Sequence, residues 1–271
     1  MQAYTVIQKT QRDYVATDSD NAAALSAHSS DWDAAAYDRL ADPMTRWGQA
    51  VLERLHLRGH ERVLDAGCGS GRVTEQLCRR LPQGTLVALD LSSAMLLEAS
   101  HRLAPFGRRV TFVRADLARP LPLQMVDAVF STATFHWVRD HDALFANLAA
   151  VLRPGGVLVA QCGGAGNIQR VHAAAKAAGV DLDPTHFATP AATERRLTAA
   201  GFADVHCWLH DEPTTIAPGA PLETYLRTVC LRHHLDVLPE GDREPFLRDV
   251  AQRLGEPVID YVRLNILARR A

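Results

Sequence analysis

Lysine is almost missing from this chain. Only Lys9 and Lys176 occur, so arginine carries nearly all of the 29 basic charges, set against 31 acidic ones. The formal net charge of -2 and the lack of a basic arm give no electrostatic case for nucleic acid as a partner. Long apolar runs are missing too. No stretch approaches the about 18 apolar residues of a membrane span, and Met1 to Asp20 lacks the apolar core of a secretion signal. The five cysteines, Cys68, Cys78, Cys162, Cys207 and Cys230, are odd in number and show no metal-site spacing. A reduced, cytoplasmic protein is the expectation. His233 and His234 are adjacent rather than four residues apart, so they do not share a helical face, and no metal is expected. Repeats and low-complexity tracts are absent. What remains, 271 residues of which 47% are hydrophobic, is enough for one full core, with or without a cap.

Against that plain background one stretch stands out: Val63-Leu-Asp65-Ala-Gly67-Cys-Gly69-Ser-Gly71. It reads as a buried strand that ends in an acid, enters a glycine turn, and passes into helix-forming sequence from Arg72 to Leu81. Glycines at alternate positions let the backbone turn sharply and approach a ligand closely. A strand–turn–helix order also aims backbone N–H groups at whatever is bound. Spacing excludes two familiar uses of such a turn. The dinucleotide fingerprint wants a third Gly or Ala where this chain has Arg72, and no Gly-Lys-Ser or Gly-Lys-Thr follows for a phosphate loop.

Two more apolar runs end near acids: Leu86 to Asp90, and Val110 to Val113 followed by Asp116. At the C-terminal ends of neighbouring strands, such carboxylates face one crevice. Asp90 could accept from a ribose diol, and Asp116 from an adenine amino group. Together, Asp65-Ala-Gly-Cys-Gly-Ser-Gly71, Asp90, Asp116-Leu117 and the turn Leu152-Arg-Pro-Gly-Gly-Val-Leu158 resemble the motifs of class I S-adenosylmethionine-dependent methyltransferases. The likeness covers roughly residues 30 to 210. Asp31-Trp32, Tyr37-Asp38, Phe135-His136-Trp137-Val138 and the C-terminal layout resemble the trans-aconitate methyltransferase-like group of small-molecule enzymes.

The resemblance implies an α/β fold: a doubly wound, mostly parallel, seven-stranded sheet with N-terminal helices and a helical cap inserted before an antiparallel last strand. Residues 1–30 are expected to form an arm, 31–271 the methyltransferase domain, and 211–257 the cap. Along the chain, strands are expected at 127–131, 157–161 and 205–209. Helices are expected to open at Ser92 or Ser93, at Asp140, at Thr189-Pro190 and at Pro245, and a helical stripe runs from Pro221 through Leu222, Tyr225, Leu226, Val229 and Cys230.

The resemblance also implies S-adenosyl-L-methionine as cofactor. Asp65 would accept from its ammonium, and Gly67, Cys68 and Gly69 would let backbone approach its amino-acid end. Asp90 would hold the ribose hydroxyls, with Leu91 and Met95 packed near ribose or adenine. Asp116 would read the adenine amino group beside the Leu117 N–H, Ser131 and Thr132 would lie near the methionine portion, and Tyr37 would close one side. For in-line methyl transfer the protein must align the partners and exclude water, so no triad is required. His136 is the candidate catalytic or substrate-orienting group, with packing at the cavity floor as its other reading. Trp137, Arg227 and His234 are candidate substrate residues, alongside Arg232, His233 and, more weakly, Arg46, because arginine binds carboxylates well. The acceptor is expected to be a small molecule with a carboxylate or hydroxyl oxygen, although carbon and nitrogen stay open, and the protein a monomer or homodimer. The competing functions are a non-methylating S-adenosylmethionine-binding protein and aminopropyl transfer on the same fold.

Overall fold

Apolar residues run unbroken through the central strands, and the pleat deals them alternately to two faces. The computed structural model describes Val6–Ile7 and residues 42–271. In β2 (Arg62–Ala66) and β3 (Thr85–Asp90), Leu64, Val87 and Leu89 join one core, while Val63, Leu86 and Ala88 join the other. The sheet is completed by β1 (Val6–Ile7), β4 (Val110–Arg114), β5 (Val126–Thr132), β6 (Leu152–Gly163), β7 (Phe202–Asp211) and β10 (Val262–Arg270), in the order β1-β4-β3-β2-β5-β6-β10-β7. β10 runs antiparallel between β6 and β7, while β4, β3, β2, β5 and β6 pair in parallel. The seven-stranded doubly wound sheet is therefore present. It gains one short edge strand, since Val6 and Ile7 pair with Val113 and Phe112 of β4, where the sequence reading put no strand. The rest of the 1–30 arm, with Trp32, Tyr37 and Asp38, lies outside the described residues.

Helices α1 (Asp42–Leu52), α2 (Arg72–Arg79) and α3 (Ser93–Arg102) cover one face through Val51, Leu52, Leu77 and Leu96. On the opposite face lie α4 (His141–Val151) and α6 (Pro190–Ala199), through Leu144, Phe145, Leu148 and Leu197. Side-chain caps start three of these helices, as the sequence suggested. Ser92 accepts from Met95 N–H, Asp140 from Ala143 N–H, and Thr189 from Ala192 N–H. A third core joins α5 (Gln169–Ala177) to α7 (Ala220–Tyr225), a π turn (Leu226–Cys230), α8 (Arg232–Asp236) and α9 (Glu240–Leu254). A two-stranded ribbon, β8 (Thr214–Thr215) with β9 (Val258–Ile259), ties the ends of that segment together. Among the described residues no helix is long and apolar enough to cross a membrane.

Two boundaries differ from expectation. The Pro154-Gly155-Gly156 turn is absorbed into one long strand from Leu152, with a register shift opposite Val126 and Ala128 taking up the irregularity. Helix α9 begins at Glu240 rather than Pro245. Glu240 and Asp242 occupy its first turn, where the helix dipole favours acids, and the proline is carried inside.

On the α1 side, β10 carries a buried polar network. Asn265 Oδ1 accepts from Arg54 Nη1 (2.5 Å) and Gln161 Nε2 (2.9 Å), and its Nδ2 lies 2.8 Å from His210 Nδ1. Three elements thus depend on one side chain. Asn265→Leu should lower stability by about 1–3 kcal/mol, because the buried Gln161 amide and the half-buried Arg54 guanidinium lose their acceptor. Urea unfolding measures this, and a loss below about 0.5 kcal/mol would show the network to be dispensable.

Candidate active site

The strand order reverses between β2 and β5, and a cavity of about 830 Å³ opens above that point. Asp65, Gly67, Cys68, Gly69 and Thr132 line it, at the ends of β2 and β5. Asp90, Leu91 and Met95 line it after β3, and Asp116 and Leu117 after β4. Ser131 does not reach the wall. Its hydroxyl turns into the sheet and donates to Ala66 O at 2.6 Å. Because side chains alternate along β5, the neighbouring Thr132 faces the cavity instead.

The glycine turn supplies shape rather than donors. Gly67 and Cys68 N–H both donate to Leu89 O (2.8 and 2.9 Å), Gly69 N–H to Asp90 Oδ2 (2.9 Å), and Gly71 N–H to Cys68 O (3.0 Å). The expectation of free backbone donors therefore fails for these four amides, three of which staple the turn to β3 while the fourth closes the turn on itself. At Gly67, with φ of 86°, an added Cβ would stand 2.1 Å from Thr134 Oγ1. At Gly69, with φ of 53°, an added Cβ would meet nothing within 4 Å. Two non-glycine wall residues also hold left-handed backbones, Ala133 (φ 55°) and the β-branched Ile168 (φ 47°). Strain of this kind persists only where the surroundings impose it.

Asp65 is 2% exposed. Its Oδ2 accepts from Thr74 Oγ1 at 2.7 Å. Burial, reinforced by the nearby Asp90 charge and opposed by the Thr74 hydrogen bond, pushes its carboxyl up to about 7. Asp90 spans two elements, with Oδ1 accepting from Ser92 N–H (2.9 Å) as Oδ2 accepts from Gly69. A carboxylate has further lone pairs, so neither bond exhausts it. Asp116 Oδ1 accepts from Ala118 N–H at 2.9 Å, which sets the loop after β4.

The far half of the cavity is assembled from distant pieces: Trp47 of α1, His136 and Trp137, Phe187, Val229 and Cys230 of the C-terminal segment, and Tyr261 and Arg263 at the start of β10. His136 is 8% exposed. Gly163 N–H donates to its Nδ1 at 3.3 Å, so the neutral ring carries its proton on Nε2. Burial, with the Arg263 and His141 charges, drives its pKa down to about 3. The sequence candidates on the C-terminal segment do not reach this wall. Arg227 pairs with Glu244 of α9, and His234 is buried beside His172 with ring centroids 5.6 Å apart. Arg46 pairs with Glu212 at 3.4 Å. Arg263 was missed, although the alternation of Arg263 and Asn265 with Leu264 and Ile266 marks one polar strand face. Among the described residues no group of three or more histidine, cysteine or acidic side chains is placed to hold a metal ion.

Residues 63–156 match the model of a methyltransferase domain family. The chain is 32% identical over 268 residues to a trans-aconitate 2-methyltransferase from an Acidovorax strain, covering 89% of this chain and 99% of that one. It is 33% identical over 261 residues to the Methylobacterium nodulans enzyme of the same name, covering 89% and 98%. The chain belongs to the class I S-adenosylmethionine-dependent methyltransferases, in their trans-aconitate methyltransferase-like group. A Haemonchus contortus phosphoethanolamine N-methyltransferase, solved with S-adenosylhomocysteine and phosphomonomethylethanolamine, shares the fold with a TM-score of 0.59 at 19% identity. That match covers 88% of this chain and 56% of the other.

S-adenosylmethionine is the family's cofactor, and the wall suits it. A neighbouring cation would favour the ionised form of the buried Asp65 carboxyl. Between pH 3.8 and about 7 the folded, ligand-free protein keeps Asp65 protonated while the unfolded chain ionises. Asp65 therefore makes stability fall as pH rises through that window. Asp65→Asn should remove this part of the slope in pH-dependent unfolding. The wild-type affinity for S-adenosylmethionine should weaken by about tenfold per pH unit below about 7, because the carboxyl must first lose its proton. Calorimetry from pH 5.5 to 8 checks this, and a flat profile would remove Asp65 from the ammonium site.

Proposed function

We propose that this methyltransferase esterifies a small organic acid on a carboxylate oxygen. The observation that carries the reading is the state of His136, a buried imidazole held neutral with Nδ1 already occupied by the Gly163 N–H. Such a ring donates from Nε2 but is a poor proton acceptor at neutral pH. Two further groups in this cavity are unsuited as bases. Burial pushes the Tyr261 phenol and the Cys68 thiol well above their ordinary ranges, so both keep their protons, and it lowers His172. An alcohol or an ammonium acceptor would need a proton removed. A carboxylic acid arrives ionised at neutral pH and needs none. The name shared by the relatives, trans-aconitate 2-methyltransferase, agrees with an acid acceptor.

In this reading Asp65 holds the cofactor's ammonium, and Asp90 adds the ribose hydroxyls to the two amides it already accepts. Leu91 and Met95 pack beside the ribose and adenine, and Asp116 with the Leu117 N–H reads the adenine edge. Cys68 and Thr132 complete the wall around the methionine portion. When bound, S-adenosylmethionine supplies an electrophilic methyl group whose C–S electron pair stays with sulfur. The chain's own work is to orient the acid, exclude water and leave proton positions unchanged. Residues 211–257 act as the cap, with Val229 and Cys230 as their contribution to the chamber.

The test is methyl-ester formation from a panel of carboxylic acids, trans-aconitate among them, against matched alcohols and amines. Base-labile esters from acids alone are expected, and methylation confined to amines or alcohols would overturn the reading. His136→Gln should lower kcat by less than about tenfold, where removing a true general base costs about 10²–10⁴. With cofactor saturating, wild-type kcat/KM should show no limb at the ordinary histidine pKa.

A further inference from the structure

Arg263 is 3% exposed and lines the far half of the cavity. Among the described residues it is the one arginine or lysine that is buried. Its guanidinium lies over the Trp47 ring, 4.6 Å from the centroid, and its Nε donates to Gln161 Oε1 at 3.4 Å. Gln161 is in turn held by Asn265, so the arginine is braced from behind. A second observation comes from Trp47 itself. Its Nε1–H is buried with no hydrogen-bond partner, although the residue is 5% exposed and lines the same chamber. A buried donor left unsatisfied costs free energy that an acceptor group would return. A braced cation beside an orphaned N–H donor makes a corner suited to an anion with two acceptor oxygens.

Among the described residues, the charges at the wall limit what that anion belongs to. The remaining arginines at the cavity wall, Arg72, Arg114 and Arg139, sit on the glycine-turn, β4 and 138–140 sides, and the last two already donate to Leu91 O and Asp183 O. The imidazoles supply no positive charge, since burial lowers both His136 and His172. The described wall of this half mixes the apolar and aromatic Trp47, Ile168, Phe187, Val229 and Tyr261 with the neutral polar Asn167 and His136. Additional carboxylates buried there without cations would be strongly unfavourable.

We propose that Arg263 and the Trp47 Nε1–H form the acceptor's carboxylate subsite, and that the acceptor is an apolar-bodied acid with a single buried carboxylate rather than a tricarboxylate. This deepens the acid-esterification reading and rests on it for the reaction, while the binding claim stands by itself. Arg263 is then a specificity-determining residue, set by β10 and tuned through Gln161.

The experiment is calorimetry on the full chain saturated with S-adenosylhomocysteine, titrated with monocarboxylates from butanoate to trans-cinnamate, with cinnamamide, and with trans-aconitate. At least one monocarboxylate should bind wild type about tenfold or more tighter than trans-aconitate, and trans-cinnamate about 30-fold tighter than cinnamamide. Arg263→Met should weaken monocarboxylate binding about 30-fold or more while leaving S-adenosylhomocysteine affinity within about twofold. Arg263→Lys should recover part of the loss, and Trp47→Phe, which removes the donor and shrinks the ring beneath Arg263, should cost about fivefold. Tighter binding of trans-aconitate than of every monocarboxylate overturns the single-carboxylate claim. Unchanged acid binding in Arg263→Met overturns the subsite. If that variant no longer binds S-adenosylhomocysteine, the wild-type acid-to-amide ratio and Trp47→Phe decide, and a ratio near one overturns the proposal. Acid binding that depends on Arg263 without ester formation would sink the esterification reading and leave the subsite standing. Ester formation that ignores Arg263 would do the reverse.

Discussion

The stapling of the glycine turn to β3 is the constraint on which the site depends. Two amides of the turn converge on Leu89 O, and a third meets the Asp90 carboxylate. These bonds fix the end of β2 against the end of β3 with no help from a ligand. They also set α2, whose Thr74 reaches back to Asp65, and α3, whose first turn is tied to Asp90 through Ser92 N–H. Asp90 is thus a structural member before it is a binding one. Removing it would cost the geometry of the turn as well as any contact to a ribose, so a loss of cofactor affinity on mutation would combine both effects.

Electrostatically the cavity has two unlike ends. At the sheet's switch point, burial, with the Asp90 charge nearby, keeps a proton on Asp65 near neutrality. Towards β10 the charge reverses, with Arg263 buried and His136 held neutral by its own burial first and by the Arg263 charge second. The first end favours a positive group and the second a negative one. The two ends lie on one sheet, so its register sets the distance between them. Gln161 links them, since its carbonyl accepts from Ala133 N–H beside the cofactor wall while its side chain accepts from Arg263.

The cofactor half of this site was legible in the sequence because it is local. Strand, turn and helix follow one another within residues 62–79, and each acid sits at or just beyond the end of its own apolar run. Of Ser131 and Thr132, both expected near the methionine portion, only Thr132 lines the cavity, because which side of β5 faces it depends on pairing with β2 and not on composition. The acceptor half was not legible in this way. Trp47, His136, Phe187 and Arg263 come from four elements spread over more than 200 residues, and only the fold brings them together. Arg227 and His234 were chosen for residue type on a helical stripe. Their actual surroundings, Glu244 on α9 and His172 on α5, come from packing between helices that no short motif encodes.

That division has a physical consequence for how such an enzyme can change acceptors. The cofactor wall is held by backbone bonds of the turn, and Gly67 has no room for even a methyl group against Thr134. The acceptor chamber is held by side chains whose helices share a separate core with α5. Exchanging a residue there alters charge or shape without touching the sheet's switch point. A relative can therefore keep the cofactor chemistry, and about a third of the sequence, while the chamber changes. Charge selectivity in the chamber then rests on its buried cations. In this chain the described residues place one such cation there, at the start of the last strand.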